Sequence, residues 1–254
     1  MRKLIYAPTL HGPGERSDAM IDAFKNAVPG DWRETENLIN RVWDKIEKGG
    51  YTLDLDFSKT KLFPEGQVES ITPAKKWQNL STDQLRSIAS SALSGLGLPS
   101  RQLGLVMTLW LKGATIENTE DPNLLEESSR LVEELEVILR KVAESGDLDA
   151  EIDEETLANA EAITSRIEDL AKERDIAIAK NINGNLREGE TGILLLGGKH
   201  DVLGKLDKDI EVSLVDPELA VIQDEVREWR TLGEGKPRKS NFRENSSLGH
   251  ESKE

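Results

Sequence analysis

The chain contains no cysteine. Disulfides, thiol catalysis and cysteine–zinc sites are therefore excluded, although the compartment is left open. Aromatic residues are only 4% of 254, so any core is built mainly from Leu, Ile, Val and Ala. Histidine occurs three times, at His11, His200 and His250, which leaves few places for imidazole chemistry. Lys and Arg number 33 against 48 Asp and Glu, a net charge of −15. The one basic cluster is short and lies in the C-terminal tail, which argues against a nucleic-acid partner. The acidity favours solubility and disfavours anionic partners. No apolar run approaches the roughly 18 residues of a membrane span. Leu4 to Ala7 before Pro8 is too short for the apolar core of a signal peptide. A cytoplasmic protein with no membrane partner is expected. Several motifs are also absent: GxGxxG opening a helix, GxxxxGK[ST], GxSxG and HExxH. Gly95-Leu96-Gly97-Leu98 has no basic residue in register to hold a phosphate.

What is present is organised around Gly192-Ile193-Leu194-Leu195-Leu196-Gly197-Gly198-Lys199-His200. Consecutive large aliphatics between glycines predict a strand buried on both faces. Gly197-Gly198 then permits a tight turn, and His200 falls just past the strand's C-terminal end. In open α/β sheets that end is where ligands bind.

Strand and helix signals alternate along the rest of the chain. Leu4 to Ala7 reads as a first strand, followed by a loop that carries His11. Ser17 to Val28 and Asp31 to Lys48 read as helices, the second stopped by Gly49-Gly50. Leu53 to Phe57 alternates like a half-buried strand or an irregular approach to one, and Thr60 to Phe63 reads more clearly as a strand before Pro64-Glu65-Gly66. Ser81 to Leu93 is an expected helix, and Leu103 to Leu111 a buried one capped from Ser100. Thr115-Ile116-Glu117 is a short strand running into an acidic turn. Asn123 to Ser145 is an amphipathic helix. Its apolar face supports either a homodimer or burial within the monomer. Asp153 or Glu154 opens a long helix to about Asn183, with Leu157, Ala160, Ile163, Ile167, Leu170, Ile176 and Ile178 expected inward. Val202 to Leu206 makes one helical turn, Ile210 to Val215 a closing strand, and Pro217 starts a last helix to Arg230. This alternation predicts an α/β fold, a central mainly parallel sheet flanked by helices. One domain is expected over 1–232, with a helical insertion or lid over about 65–112. Residues 233–254 read as a disordered polar tail.

Candidate chemistry follows from placement. His11 and His200 each end an expected strand, and parallel strands bring their C-terminal ends to one sheet edge. A lone histidine so placed is ordinarily a satisfied loop residue; two on one edge form a candidate pair. Glu117 and Glu120 flank the end of a third strand, where the plain alternative is a solvated acidic turn. Arg174 and Asp175 stand in Glu173-Arg174-Asp175-Ile176-Ala177-Ile178-Ala179, charged residues beside a small apolar helix segment. The plain alternative for Arg174 is a surface arginine.

Gly197-Gly198-Lys199-His200 resembles the GxxH pattern of the TraB, TIKI and GumN families, relatives of the erythromycin esterases and ChaN-like proteins. The helix Glu173-Arg174-Asp175 to Ala179, leading into Ile193 to His200, is similar to their ERD/ERN helix. Gly113-Ala114 through Glu117 and Glu120 resembles their segment with a site glutamate, and Thr9-Leu10-His11 their first histidine motif, with Pro8 where glycine is usual. The resemblance is strongest over 171–216. It implies a site of His11, His200, one of Glu117 and Glu120, and Arg174. Two imidazoles and a carboxylate, His11, His200 and Glu120, suit a catalytic divalent ion such as zinc, manganese or cobalt. Without metal, a histidine near its ordinary pKa can act as general base. Arg174 would then bind an oxyanion or a substrate carboxylate. The expected function is hydrolysis of an ester, lactone or peptide bond in a small-molecule or peptide substrate. The alternative is a non-catalytic module that sequesters a peptide or small signal molecule. A structural role for the long acidic helices ranks last.

Overall fold

A computed structural model describes residues 1–9, 32–66, 69–70, 100–144, 153–197 and 200–220. Its ordered elements are β1 (Arg2–Thr9), α1 (Trp32–Thr52), β2 (Thr60–Pro64), α2 (Ser100–Leu111), β3 (Thr115–Ile116), α3 (Pro122–Glu144), α4 (Glu154–Asn185), β4 (Thr191–Gly197) and β5 (Ile210–Leu214). The strands form one sheet in the order β3-β2-β4-β1-β5. Every pairing is parallel, with Ile193 opposite Ile5 on one side and Leu62 on the other. The expected α/β fold with a parallel sheet and flanking helices is therefore what the chain adopts.

β4 lies at the centre because it is the most uniformly apolar strand. Its residues alternate between two cores, as a period of two requires. Ile193 and Leu195 join Ala7, Leu62 and Ile116 against α1 (Val42, Trp43, Ile46) and α2 (Leu105, Leu109, Trp110). Leu194 and Leu196 join Leu4, Tyr6 and Phe63 against Ile178, Ala179 and Ile182 of α4. A third, smaller cluster forms between α3 and α4 alone, around Leu131, Ile163 and Leu170. Asp153 caps α4, its carboxylate accepting from the Thr156 N–H at 2.8 Å and the Thr156 hydroxyl at 2.7 Å. The chain adopts the cap that the sequence signals there.

Pro8 lies inside β1, which runs one residue past it. β5 pairs with β1 only as far as Tyr6, whose carbonyl accepts the Val215 N–H at 2.9 Å. Two residues on, the backbone nitrogen of position 8 points the same way with no residue of β5 paired opposite it. Proline costs no ladder bond there.

Several expectations are corrected. Gly49-Gly50 does not stop α1, which continues to Thr52. These glycines instead let neighbours approach: a Cβ on Gly49 would lie 2.6 Å from the Val215 carbonyl oxygen, and one on Gly50 2.8 Å from Leu105 Cδ1. Of the two readings of Leu53 to Phe57, the chain adopts the irregular approach to β2 and not a strand. Leu53, Leu55 and Phe57 do pack on the core, but the segment is irregular and ends in a 3-10 turn capped by Asp56. Leu157 and Ile176 of α4 face outward rather than inward. Within the expected insertion, Ser100–Leu111 is a core helix and 71–99 lie outside the described residues. The expected helices 17–28 and 81–93, His11, and all of the last helix beyond Ala220 also lie outside them. Among the described residues no helix is long and apolar enough to cross a membrane.

Helical glycines give a stability test with opposite signs. Gly49→Ala forces α1 away from Val215 and should cost about 1–3 kcal/mol. Gly104, in α2, has nothing within 4 Å of the point where an alanine methyl would stand, so Gly104→Ala should gain about 0.5–1 kcal/mol. Urea unfolding of both variants checks the pair.

Candidate active site

The C-terminal ends of β2, β3 and β4 share one sheet edge, and charged side chains converge there. Glu65 follows β2. Its N–H donates to the Leu195 carbonyl at 2.8 Å, extending the ladder by one residue. This aims its carboxylate across the end of β4, where Oε2 accepts the Gly197 N–H at 2.6 Å. A Cβ on residue 197 would stand 3.0 Å from that oxygen, so the glycine makes room for Glu65. Beyond it a turn closes with the His200 N–H donating to the Gly197 carbonyl at 3.1 Å. That turn brings His200 back over the strand end.

α4 supplies the floor. Arg174 and Asp175 are adjacent, so their side chains leave the helix about 100° apart and reach different partners. Asp175 Oδ1 lies 2.5 Å from His200 Nδ1, and Oδ2 accepts the Asp201 N–H at 2.8 Å. Lys205, from the turn after His200, stands 3.9 Å from the same carboxylate. Arg174 forks onto Glu120, with Nη2 to Oε1 at 2.7 Å and Nε to Oε2 at 3.2 Å. Glu65 lies between the two halves, its Oε1 3.5 Å from His200 Nε2 and 3.8 Å from Arg174 Nη2. The order across the edge is Lys205, Asp175, His200, Glu65, Arg174, Glu120, a base and an acid in alternation.

Of the residues expected from sequence, His200, Glu120 and Arg174 meet here. Glu120 is fully buried, not part of a solvated turn, and Arg174 is no surface arginine. Glu117 is buried too, but its carboxylate serves another set: it pairs with Lys61 and accepts from Ser70 Oγ at 3.1 Å. His11 lies outside the described residues. Glu65, the Asp175 contact and Lys205 were not anticipated. Glu65 carried the same signal as Glu117, an acid directly after a strand. Asp175 carried another, a poor helix former inside a run of good ones.

Electrostatics follow from burial and pairing. Burial alone would lower the pKa of His200, but Glu65 and Asp175 raise it, Arg174 opposing, so that it stands above its ordinary 6.5. Burial likewise pulls the Arg174 guanidinium down, and Glu120, with Glu65 and Asp175 behind it, more than restores it. For the expected metal set, Glu120 already has both oxygens on Arg174, and Glu65 is the carboxylate that faces His200 Nε2. Among the described residues no group of three or more His, Asp or Glu side chains is arranged to hold a metal ion. No protein-family model, curated protein or solved structure matches the chain.

Two measurements test the network. Removing one partner of a buried ion pair leaves the other uncompensated, so Arg174→Met alone should cost about 3–5 kcal/mol. Arg174→Met with Glu120→Leu removes both charges and should cost clearly less than the sum of the single changes in urea unfolding. The second is pH. Because the folded pKa of His200 is raised, its contribution to stability is complete below pH 6.5 and is lost as pH rises through the folded value. His200→Gln should remove that decline, and the difference between the two stability–pH curves measures it.

Proposed function

We propose that this edge is the active site of a hydrolase that cleaves an ester, lactone or peptide bond of a small-molecule or peptide substrate. One observation carries the reading: His200 sits at the end of the central strand with Nδ1 held by Asp175 at 2.5 Å and Nε2 turned toward Glu65 at 3.5 Å. A carboxylate on Nδ1 fixes the proton there and leaves Nε2 as the basic nitrogen. In the reaction Nε2 takes a proton from a water that Glu65 helps to orient. The water oxygen bonds to the substrate carbonyl carbon, the bond to the alcohol or amine breaks, and the imidazolium returns its proton to that leaving group. Arg174 is a positioning residue here: committed to Glu120 and close to Glu65, it holds the carboxylates in place. The likeness of 171–216 to the TraB, TIKI and GumN families supports the same chemistry.

A divalent ion would have His200 Nε2 and Glu65 as its donors among these residues, with Asp175 orienting the imidazole from behind. Bound there, it would supply hydroxide at neutral pH. A catalytic zinc ordinarily uses three protein ligands; the third place is the one expected for His11, which lies outside the described residues.

A second reading is a binding module for a peptide or small signal molecule. The observation that favours it is the mutual pairing of the network, since both ring nitrogens of His200 already face carboxylates.

The test is hydrolysis of a panel of aryl esters, lactones and short peptides by wild type, His200→Ala and Asp175→Asn. The hydrolase reading expects turnover that rises with pH through a midpoint above 6.5, the direction set by the raised His200. His200→Ala should lose about 10²–10⁴-fold in kcat with the fold retained. Asp175→Asn removes one of the carboxylates that raise His200 and should move the midpoint down. Activity should survive chelation. Loss restored by zinc, manganese or cobalt would transfer water activation to a metal. Tight retention of a panel member without turnover would favour the binding module.

A further inference from the structure

α3 and α4 form an antiparallel arm. Glu120, just before α3, pairs with Arg174; one step out, Arg166 forks onto Glu127 at 2.9 and 3.1 Å; then Leu131 packs with Ile163 and Leu170. The same register brings Val137 and Leu139 level with the first turns of α4, where Leu157 stands. All three are about half exposed, at 48, 50 and 49%. The arm's core continues outward through Leu135 and Ile138, while Val137, Leu139 and Leu157 stand on its flanks without such burial.

The arm also concentrates the chain's charge. Residues 122–173 contain sixteen Asp and Glu against five Lys and Arg, −11 of the total −15. Self-repulsion of this size disfavours a second copy as the cover for these aliphatics. What fits is a cationic segment with an apolar anchor. The chain has one: Lys236-Pro237-Arg238-Lys239-Ser240-Asn241-Phe242-Arg243 has four basic residues, no acid and one phenylalanine. Lys236 lies sixteen residues beyond Ala220, the last described position. Such a length spans at most about 55 Å, against about 35 Å for the whole of α3. Tethering also raises the local concentration of a segment to the order of millimolar, so weak screened contacts are enough.

We propose that the outer half of the arm is a docking surface for this chain's own basic segment, residues 236–243. The lysines and arginines lie along the acidic helices, and Phe242 covers Leu139 and Leu157, which share one flank of the pair. The association is electrostatic in range and apolar at its anchor, and it is independent of the chemistry at His200.

Because the chain lacks cysteine, a nitroxide can be placed at one position through Ser240→Cys in the full-length protein. At low salt, amide signals of 133–141 and 154–163 should be attenuated by the label. The attenuation should fall as added salt shortens the screening length from about 10 Å at 0.1 M to about 3 Å at 1 M. It should also fall in the Glu133→Gln/Glu136→Gln/Glu161→Gln variant, whose helical circular dichroism should be unchanged. Phe242→Ser should weaken it without altering charge. Arm signals that are untouched, attenuated no more than the rest of the surface, or insensitive to both salt and the glutamine changes would overturn the proposal. So would attenuation seen only when spin-labelled and isotope-labelled chains are mixed, because the occupant would then be another copy's tail.

Discussion

The fork between Arg174 and Glu120 is the contact on which the site and the arm both depend. Glu120 has no exposure to solvent, so its charge is tolerable only because a guanidinium meets both oxygens. The pair ties the segment after β3 to the middle of α4. In doing so it fixes where α4 crosses the sheet edge, and hence where Asp175 meets His200. On the other side it sets the start of α3, from which the rungs at Glu127–Arg166 and Leu131–Ile163 follow. Neighbouring ties act in the same sense, including the Asn181 side-chain amide donating to the Thr119 carbonyl at 3.1 Å.

Charge at the edge is arranged in alternation. Each cation there lies between or beside carboxylates: Lys205 near Asp175 and Asp201, His200 between Asp175 and Glu65, Arg174 between Glu65 and Glu120. Protonation of His200 is therefore favoured by its surroundings although burial opposes it. A histidine in this position is strong as a base only when it has been freed of its proton. This ties the chemistry to pH and to whatever perturbs Glu65.

Much of the architecture was legible in the sequence, and the reasons are local. The unbroken run Ile193 to Leu196 marks a central strand because only a strand covered on both faces is apolar at every position. Asp153 signals a helix start because its side chain can accept from the first-turn amides. Leu53 to Phe57 left strand and irregular approach both open because alternation reports which side chains are buried, not whether a neighbouring strand exists to pair with. Gly49-Gly50 misled because glycine serves close packing as well as termination, and only the position of Val215, far away in sequence, decides between them. At the site, strand-end position singled out His200 and the pair Glu117 and Glu120 without choosing between the two acids, and Arg174 stood out as a charge beside an apolar helix segment. The partnership of Asp175 with His200 depends on how α4 is rotated about its axis, and no short-range pattern encodes that rotation. Glu65 was hidden by its neighbours, since Pro64 and Gly66 made it look like an ordinary turn residue.

α4 is a single unbroken helix from Glu154 to Asn185, half of it wall and half of it arm. Phase is therefore shared between the two. A residue added to α4 between the site and the outer arm would turn the arm's outer face by about 100° and lift it by about 1.5 Å, while Arg174 and Asp175 stayed where the sheet holds them. Length variation in such a chain is thus constrained within its rods, where seven residues, close to two turns, restore nearly the same face.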